Sequence, residues 1–275
     1  MPETFEPVGI EDIRLAAGRI AGHVLRTPMM ESAVLSSLCG VPVHLKLENQ
    51  QRTGAFKLRG ATNAVLSLSE DERRRGVVAA STGNHGRALA FAAKSVGSKA
   101  TICMSSLVPE NKVAEVRRLG ADARIVGRSQ DDAQEEVERL VSTEGLVMVP
   151  PFDNAVIAGQ GTIGLEIVED LPEIATVLVP LSGGGLASGV AAAIKTLRPD
   201  AKVVGISMER GAAMKASIDA GHPLPVEELP TLADSLGGGI GLDNRLTFRM
   251  CRDLLDAVVL VSEQEIANGI RHAYQ

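Results

Sequence analysis

The sequence predicts an α/β protein of two lobes, each built on a twisted, mostly parallel sheet flanked by helices. Short apolar runs alternate with helix-periodic stretches over most of the chain, the mark of strand, helix, strand units joined by parallel crossovers. The 275 residues suit two lobes or one large α/β domain at ~100–200 residues per domain. Pro150-Pro151 and the extra elements ahead of residue 76 divide the chain. They place a small lobe at 76–152 and a large, discontinuous one at 1–75 and 153–275.

Composition narrows the class. Hydrophobic residues make up 45% and charged residues 23%, with 28 Gly and 13 Pro, which is globular usage and excludes disordered, collagen-like and repeat chains. Aromatics are 2% with no Trp, so the core is aliphatic and stacking platforms for single-stranded nucleic acid are scarce. Lys and Arg number 28 against 34 Asp and Glu, a net charge of −6, the wrong sign for a protein that lives on phosphate backbones. No nucleic-acid partner is expected. Cys39, Cys103 and Cys251 are odd in number and far apart, which supports reduced thiols in the cytoplasm rather than a disulfide framework or a zinc ribbon. The N-terminus lacks a basic and apolar leader, and no window reaches ~18 uninterrupted apolar residues. Export and membrane insertion are not expected.

The elements follow in order. Ile10, Ile13, Ala17, Ile20 and Val24 recur at spacings of three and four, one face of a helix ending before Thr27-Pro28. Val43, Leu45 and Leu47 alternate with His44, Lys46 and Glu48, a period of two that reads as a half-buried strand. Strand runs are expected at 77–80, 100–104, 123–126 and 146–149, then at 176–181, 202–207 and 257–261. Ser129 stands three residues before Asp132, an imperfect capping box that opens a helix with an acidic, solvated face. Ser262-Glu263-Gln264-Glu265 is a full capping box, and its helix runs toward Gln275 without a stop signal.

Ligands of open parallel sheets gather at the carboxyl ends of strands, so the turns leaving the strands are where chemistry is sought. After the 176–181 run comes Ser182-Gly183-Gly184-Gly185, then an Ala-rich helix from Leu186. Glycines allow close backbone approach, and free N–H groups with the helix dipole favour a phosphate. The same residues also make an ordinary tight strand-to-helix turn. Ser188 breaks the dinucleotide fingerprint and the chain has no Walker lysine, which fits a single phosphate better than a dinucleotide or triphosphate. After the 77–80 run, Ser81-Thr82-Gly83-Asn84-His85-Gly86 opens a helix where hydroxyls, an amide and free N–H groups converge. It reads equally as a cradle for a carboxylate or as a helix cap. Lys57 lies in a stretch of small and apolar residues, where desolvation would lower an ammonium pKa and free a nucleophilic amine; a solvated lysine is the alternative. His23, His44, His85, His222 and His272 show no paired ligand spacing, and no metal is expected.

The two turns and the lysine stretch together resemble the pyridoxal-phosphate enzymes of fold type II, and among them the threonine/serine dehydratases and serine racemases. The resemblance spans essentially the whole chain and implies a tryptophan synthase β-like fold. Lys46 to Ala61 is similar to the family's lysine segment, Lys-Leu-Glu-Asn-x-Gln-Arg-Thr-Gly-Ala-Phe-Lys-x-Arg-Gly-Ala. The resemblance therefore implies that Lys57 joins the cofactor aldehyde and removes the substrate Cα proton, with Phe56 against the pyridine ring. Ser81, Thr82, Gly83, Asn84 and His85 are similar to the loop that grips the substrate carboxylate, with Asn84 bonded to the pyridoxal 3′-oxygen. Ser182, Gly183, Gly184, Gly185 and Leu186 are similar to the loop for the cofactor phosphate. The segments 156–162 and 231–234 also match and are expected to line the large lobe.

Departures from the pattern qualify the reaction. Racemases of the group carry Ser where Thr82 stands, as the base on the cofactor face opposite the lysine, and Thr82 keeps a hydroxyl. Ser207, Gly211 and Ala213 replace the acidic residues of the divalent-cation site, although Glu209 lies close by in sequence, and Ser235 replaces a Gly after the Ala-Asp pair. The resemblance implies a dehydratase, or ammonia-lyase, that turns a small hydroxy amino acid into a 2-oxo acid and ammonia. An amino-acid racemase and a non-catalytic member are the alternatives. Phrases at 208–214 and 235–241 are most similar to the branch that acts in hydroxyectoine utilisation. A homodimer is implied, and so is further chain beyond residue 275, which would leave the large lobe truncated.

Overall fold

The structure, a computed structural model, describes residues 6–81 and 83–274. Contacts divide the chain into two compact units, 15–151 and the pair of segments 1–14 and 152–275. The unit carrying 76–151 thus also carries 15–75, which was expected with the C-terminal segment. The reason is visible in packing: helix α3 (Lys57–Ser67) lies against α5 (Asn84–Ser95).

The first helix, α1 (Ile10–Ile20), buries Ile13, Ala16 and Ile20. It stops before Val24, because Gly22 takes a positive φ of 80° that ends the right-handed turn. Strands β1 (Met29–Glu31) and β2 (His44–Lys46) pair antiparallel around α2 (Ala33–Cys39). The strand expected at 43–47 forms over His44–Lys46 with Leu45 turned outward: Leu45 is 41% exposed, while Val43, His44, Lys46 and Leu47 are all half-buried. Lys46 turns inward because its Nζ donates to the Thr27 carbonyl at 2.7 Å. A local apolar period cannot register that pull.

After α3 and α4 (Glu70–Arg75), strands β3 (Val77–Ala80), β4 (Ala100–Met104), β5 (Asp122–Ile125) and β6 (Val147–Met148) form a parallel sheet of order β5-β4-β3-β6. Its crossovers are α5, α6 (Glu110–Arg118) and α7 (Gln130–Glu144). The helices pack with small residues: Ala88, Ala92 and Ala93 of α5 and Ala133 of α7 are buried. Ser129 makes the reciprocal bonds of a complete capping box with Asp132, so the shorter acid serves where Glu is usual.

In the other unit α8 (Asn154–Asp170) precedes the parallel strands β7 (Thr176–Pro180), β8 (Lys202–Met208) and β9 (Ala257–Val261), ordered β7-β8-β9. Helices α9 (Gly185–Leu197), α10 (Ala213–Ala220) and α11 (Leu246–Leu254) connect them, and α12 (Glu263–Ala273) follows with the Ser262–Glu265 capping box in place. Helices α8 and α9 approach closely through glycine. A Cβ at Gly189 would overlap the Ile157 carbonyl, and one at Gly164 would stand 2.7 Å from Ala193 Cβ. These glycines explain why the 156–164 stretch is small as well as apolar. Among the described residues no helix is long and apolar enough to cross a membrane.

Candidate active site

Lys57 is the first residue of α3. Its side chain is half-buried as a whole, but the amine end is enclosed, and desolvation pushes its pKa down from the usual lysine range to about 8. Nζ stands 5.4 Å from the centroid of the Phe56 ring, within the range where a ring face attracts a cation. An amine poised to lose its proton near neutrality is the kind of nucleophile and base that carbonyl chemistry requires.

The turn leaving β3 belongs to the same unit. Ser81 is buried, and its Oγ accepts from Gly86 N at 2.9 Å and from Gly83 N at 3.3 Å, so the hydroxyl holds the turn into α5. Gly86 has to be glycine here, since a Cβ would stand 2.9 Å from Ile102 Cγ2. The N-cap residue of α5 is Gly83, which offers no side-chain cap; Ser81 takes the Gly86 N–H, and the first-turn N–H groups of Asn84 and His85, without intrahelical acceptors, suit a carboxylate. Asn84 Oδ1 accepts from Arg87, so Nδ2 supplies the amide's donors.

His85 is 5% exposed, and its Nε2 lies 2.8 Å from the Val149 carbonyl oxygen. Burial above all, then the Lys57 charge, pushes its pKa down to about 4 against the opposing bond to Val149. The ring is therefore neutral, with Nε2–H donating and Nδ1 an acceptor that is buried and has no partner. Thr82, expected as a catalytic hydroxyl, lies outside the described residues.

In the other unit the turn leaving β7 runs Leu181-Ser182-Gly183-Gly184 into α9. Gly184 adopts φ 87° and is hemmed in: a Cβ there would stand 2.8 Å from both Cys251 Sγ and Met214 Cε. A Cβ at Gly183 would overlap the Phe152 ring. Thr247 Oγ1 donates to the Gly183 carbonyl at 2.6 Å, and Asn244 Nδ2 donates to Thr247 Oγ1 at 2.7 Å. With that carbonyl tied back and no side-chain cap on α9, the N–H groups of its first turn are without intrahelical acceptors. Ser188, read from sequence only as a break in a fingerprint, is fully buried and 3.4 Å from Cys251 Sγ.

These residues fit pyridoxal phosphate. Phosphate asks for N–H donors on a loop with no room for side chains, the aldehyde for a desolvated amine, and the ring oxygen for an amide donor; the glycine turn, Lys57 and Asn84 have those properties. Thr247 and Met214 escaped the sequence reading because their only signal is the amphipathic pattern of ordinary helices, and Asn244 because it is a single polar residue in the loop ahead of α11. Cys251 was noted only as a reduced thiol. Burial raises Cys103 to about 11 and Cys251 to about 12, so neither is a thiolate. The segment 231–234 ties to α12: Thr231 Oγ1 donates to the Glu263 carboxylate at 2.5 Å and Leu232 N donates to it at 2.8 Å. Among the described residues no group of three or more His, Cys, Asp or Glu is arranged to hold a metal ion.

The comparisons agree with this chemistry. The model of the family described as pyridoxal-phosphate dependent enzyme matches residues 20–275. A Sinorhizobium fredii protein provisionally named a threonine dehydratase is 67% identical over 98% of this chain and 81% of its own length. The catabolic L-threonine dehydratase TdcB of Escherichia coli is 41% identical over 96% of this chain and 80% of its own. The structure of maize serine racemase superposes with a TM-score of 0.94 at 35% identity, covering 98% of this chain and 82% of that one. The chain belongs to the fold-type-II pyridoxal-phosphate-dependent enzymes, in the family of threonine/serine dehydratases and serine racemases, and is a lyase that uses this cofactor.

Proposed function

We propose that the enzyme eliminates the β-hydroxyl of a small hydroxy amino acid, threonine or serine in the first instance, to give a 2-oxo acid and ammonia. The observation that carries this reading is the desolvated amine of Lys57 at the head of α3, its pKa near 8. When bound, pyridoxal phosphate supplies a carbonyl carbon for amines and a sink for the electron pair left at Cα. The protein supplies orientation and proton transfer. Lys57 Nζ takes the Cα proton. The N–H groups at the head of α5 orient the substrate carboxylate, while Asn84 Nδ2 donates to the ring oxygen. Ser182, Gly183, Gly184, Gly185 and Leu186 hold the phosphate by backbone donors. Neutral His85 offers no competing acid near Lys57. The β-hydroxyl leaves with a proton as water, and the unsaturated amine left behind takes up water to yield the 2-oxo acid and ammonia.

The named relatives, a threonine dehydratase at 67% identity and TdcB at 41%, support threonine. A 3-hydroxyaspartate or a hydroxyectoine-derived amino acid offers the same carboxylate, α-amine and β-oxygen, and phrases at 208–214 and 235–241 motivate including the latter. Racemisation is a second reading, favoured by the fold likeness to serine racemase, and would require an acid opposite Lys57, the place assigned to Thr82. We propose a cytoplasmic homodimer as its form, in keeping with the free cysteines. The test is one panel: 2-oxo acid, ammonia and product chirality measured with the cofactor-loaded enzyme on threonine, serine, 3-hydroxyaspartate and a hydroxyectoine-derived amino acid. Ammonia release from none of them would overturn the lyase assignment for these substrates, and inverted amino acid without ammonia would favour the racemase.

A further inference from the structure

Four polar side chains of the lysine segment play no part in the reaction above; three of them bond the backbone of Leu25 and Thr27, and the fourth, Glu48, the Thr27 hydroxyl. Gln51 clamps Leu25 from both sides, accepting from its N–H and donating to its carbonyl at 2.9 Å each. Lys46 Nζ donates to the Thr27 carbonyl at 2.7 Å. Arg59 Nη2 reaches the Leu25 carbonyl at 3.3 Å and meets the Glu48 carboxylate in a two-pronged pair, Nε to Oε2 at 2.9 Å and Nη2 to Oε1 at 2.8 Å. Thr27 Oγ1 donates to Glu48 as well. The guanidinium is wholly buried and the Glu48 side chain is 14% exposed.

A buried ion pair is weak evidence for stability, because desolvation of both charges opposes their attraction, and an apolar pair of like volume often serves as well. Its position, with Arg59 two residues after Lys57 on the same helix, points to placement. Residues two apart on an α-helix project about 200° from one another, so Arg59 grips the side of α3 opposite to Lys57. The N-cap of α3, Phe56, provides no side-chain cap, so locally its first turn is held only by backbone bonds, Leu58 N to the Ala55 carbonyl and Arg59 N to the Phe56 carbonyl. The Glu48–Arg59 pair, anchored to Leu25 and Thr27, fastens that turn from behind.

We propose that Glu48 and Arg59 are positioning residues, which fix the first turn of α3 on the 25–27 backbone and thereby hold the Lys57 amine in register with the cofactor carbonyl and the substrate Cα. This rests on the reading of Lys57 as the cofactor lysine. A group displaced by about 1 Å loses on the order of a hundredfold in rate without losing its binding contacts, so the signature is a fall in kcat with KM held.

The experiment compares the loaded parent with E48M/R59M, which removes both charges at similar volume, with R59K, which keeps a charge but not the fork, and with K57A. Far-ultraviolet circular dichroism and melting report the fold; the visible circular dichroism band of the bound cofactor reports its seating. The expected result is a folded double variant that binds cofactor, with the visible band reduced by half or more, kcat at least about tenfold lower and KM for threonine, or for the best substrate of the panel, within threefold. R59K should fall between it and the parent. A folded double variant with the parent's band and kcat would overturn the proposal, and if that variant does not fold, R59K indistinguishable from the parent does so. K57A separates the two readings. If it keeps the parent's band and turnover, the assignment of Lys57 itself fails; if it loses both while the Glu48 and Arg59 variants match the parent, only the positioning role fails.

Discussion

His85 donates from Nε2 to the Val149 carbonyl oxygen 2.8 Å away, joining the head of α5 to the chain just past β6, while its Nδ1 stays buried without a partner. This imidazole is neutral in the folded protein and titrates at about 4, against ~6.5 in an unfolded chain. The unfolded state therefore binds more protons between those values, and stability rises with pH through the window. We expect the contribution to be complete above pH ~6.5 and lost as pH falls toward 4, by roughly 3 kcal/mol over the whole range. Urea denaturation of the cofactor-free protein from pH 7 to 4 measures it. H85N, which cannot titrate, should be less stable at pH 7 and show a flatter pH dependence; an unchanged slope would count against the burial argument.

Lys57 titrates at about 8 because its amine is desolvated. Only the neutral amine attacks a carbonyl, so the rate at which cofactor-free enzyme takes up pyridoxal phosphate should rise with pH and level off above a midpoint near 8. Stopped-flow absorbance follows the uptake. In K57A the visible band of the bound cofactor and turnover should both vanish. A rate still climbing steeply at pH 10 would mean that the amine is solvated.

The glycine turn has no space for side chains. G184A combines a disfavoured φ of 87° with contacts of 2.8 Å to Cys251 and Met214, and should cost about 2 kcal/mol or more together with most of the affinity for the cofactor. In G183A the obstacle is the end of the Phe152 ring, which a smaller side chain relieves. Cofactor affinity lost in G183A should return in part in G183A/F152L. Equilibrium titration with pyridoxal phosphate measures both; a double variant no better than G183A would show that Phe152 is not the obstacle.

G189A tests the helix pair beneath that turn. Its Cβ would overlap the Ile157 carbonyl, backbone that cannot swing aside, so α8 and α9 must separate. A loss of about 3 kcal/mol in the urea midpoint analysis is expected. Wild-type stability would mean that the helices slide at no cost.

Much of this was legible in order along the chain. Ala257 to Val261 is a strand with the bounds the apolar run predicted, and the boxes at Ser129 and Ser262 open helices where their spacing said they would. Both turns singled out for chemistry do lie at the carboxyl ends of parallel strands, ahead of helices. These features rest on neighbours within a few residues, so the sequence carries them directly: the period of a strand, the reach of a serine to the third residue on, a run of glycines before a helix. The long lysine segment marked the chemistry only together with the two turns, through the family resemblance they carry.

What tertiary structure decided concerns partners far apart in sequence. Leu45 faces out and Lys46 in because Lys46 reaches Thr27. Arg59 is wholly buried where it meets Glu48 and the Leu25 carbonyl. Thr247 and Cys251 stand behind the glycine turn more than sixty residues after it. No local period encodes such pairings, since each depends on where two distant segments meet once the sheets and helices have packed. The sequence by itself marked the family and the segments that carry its chemistry; the folded structure decided which side chains pack against those segments, because burial and hydrogen bonding are set by the packed neighbours and not by the order of residues.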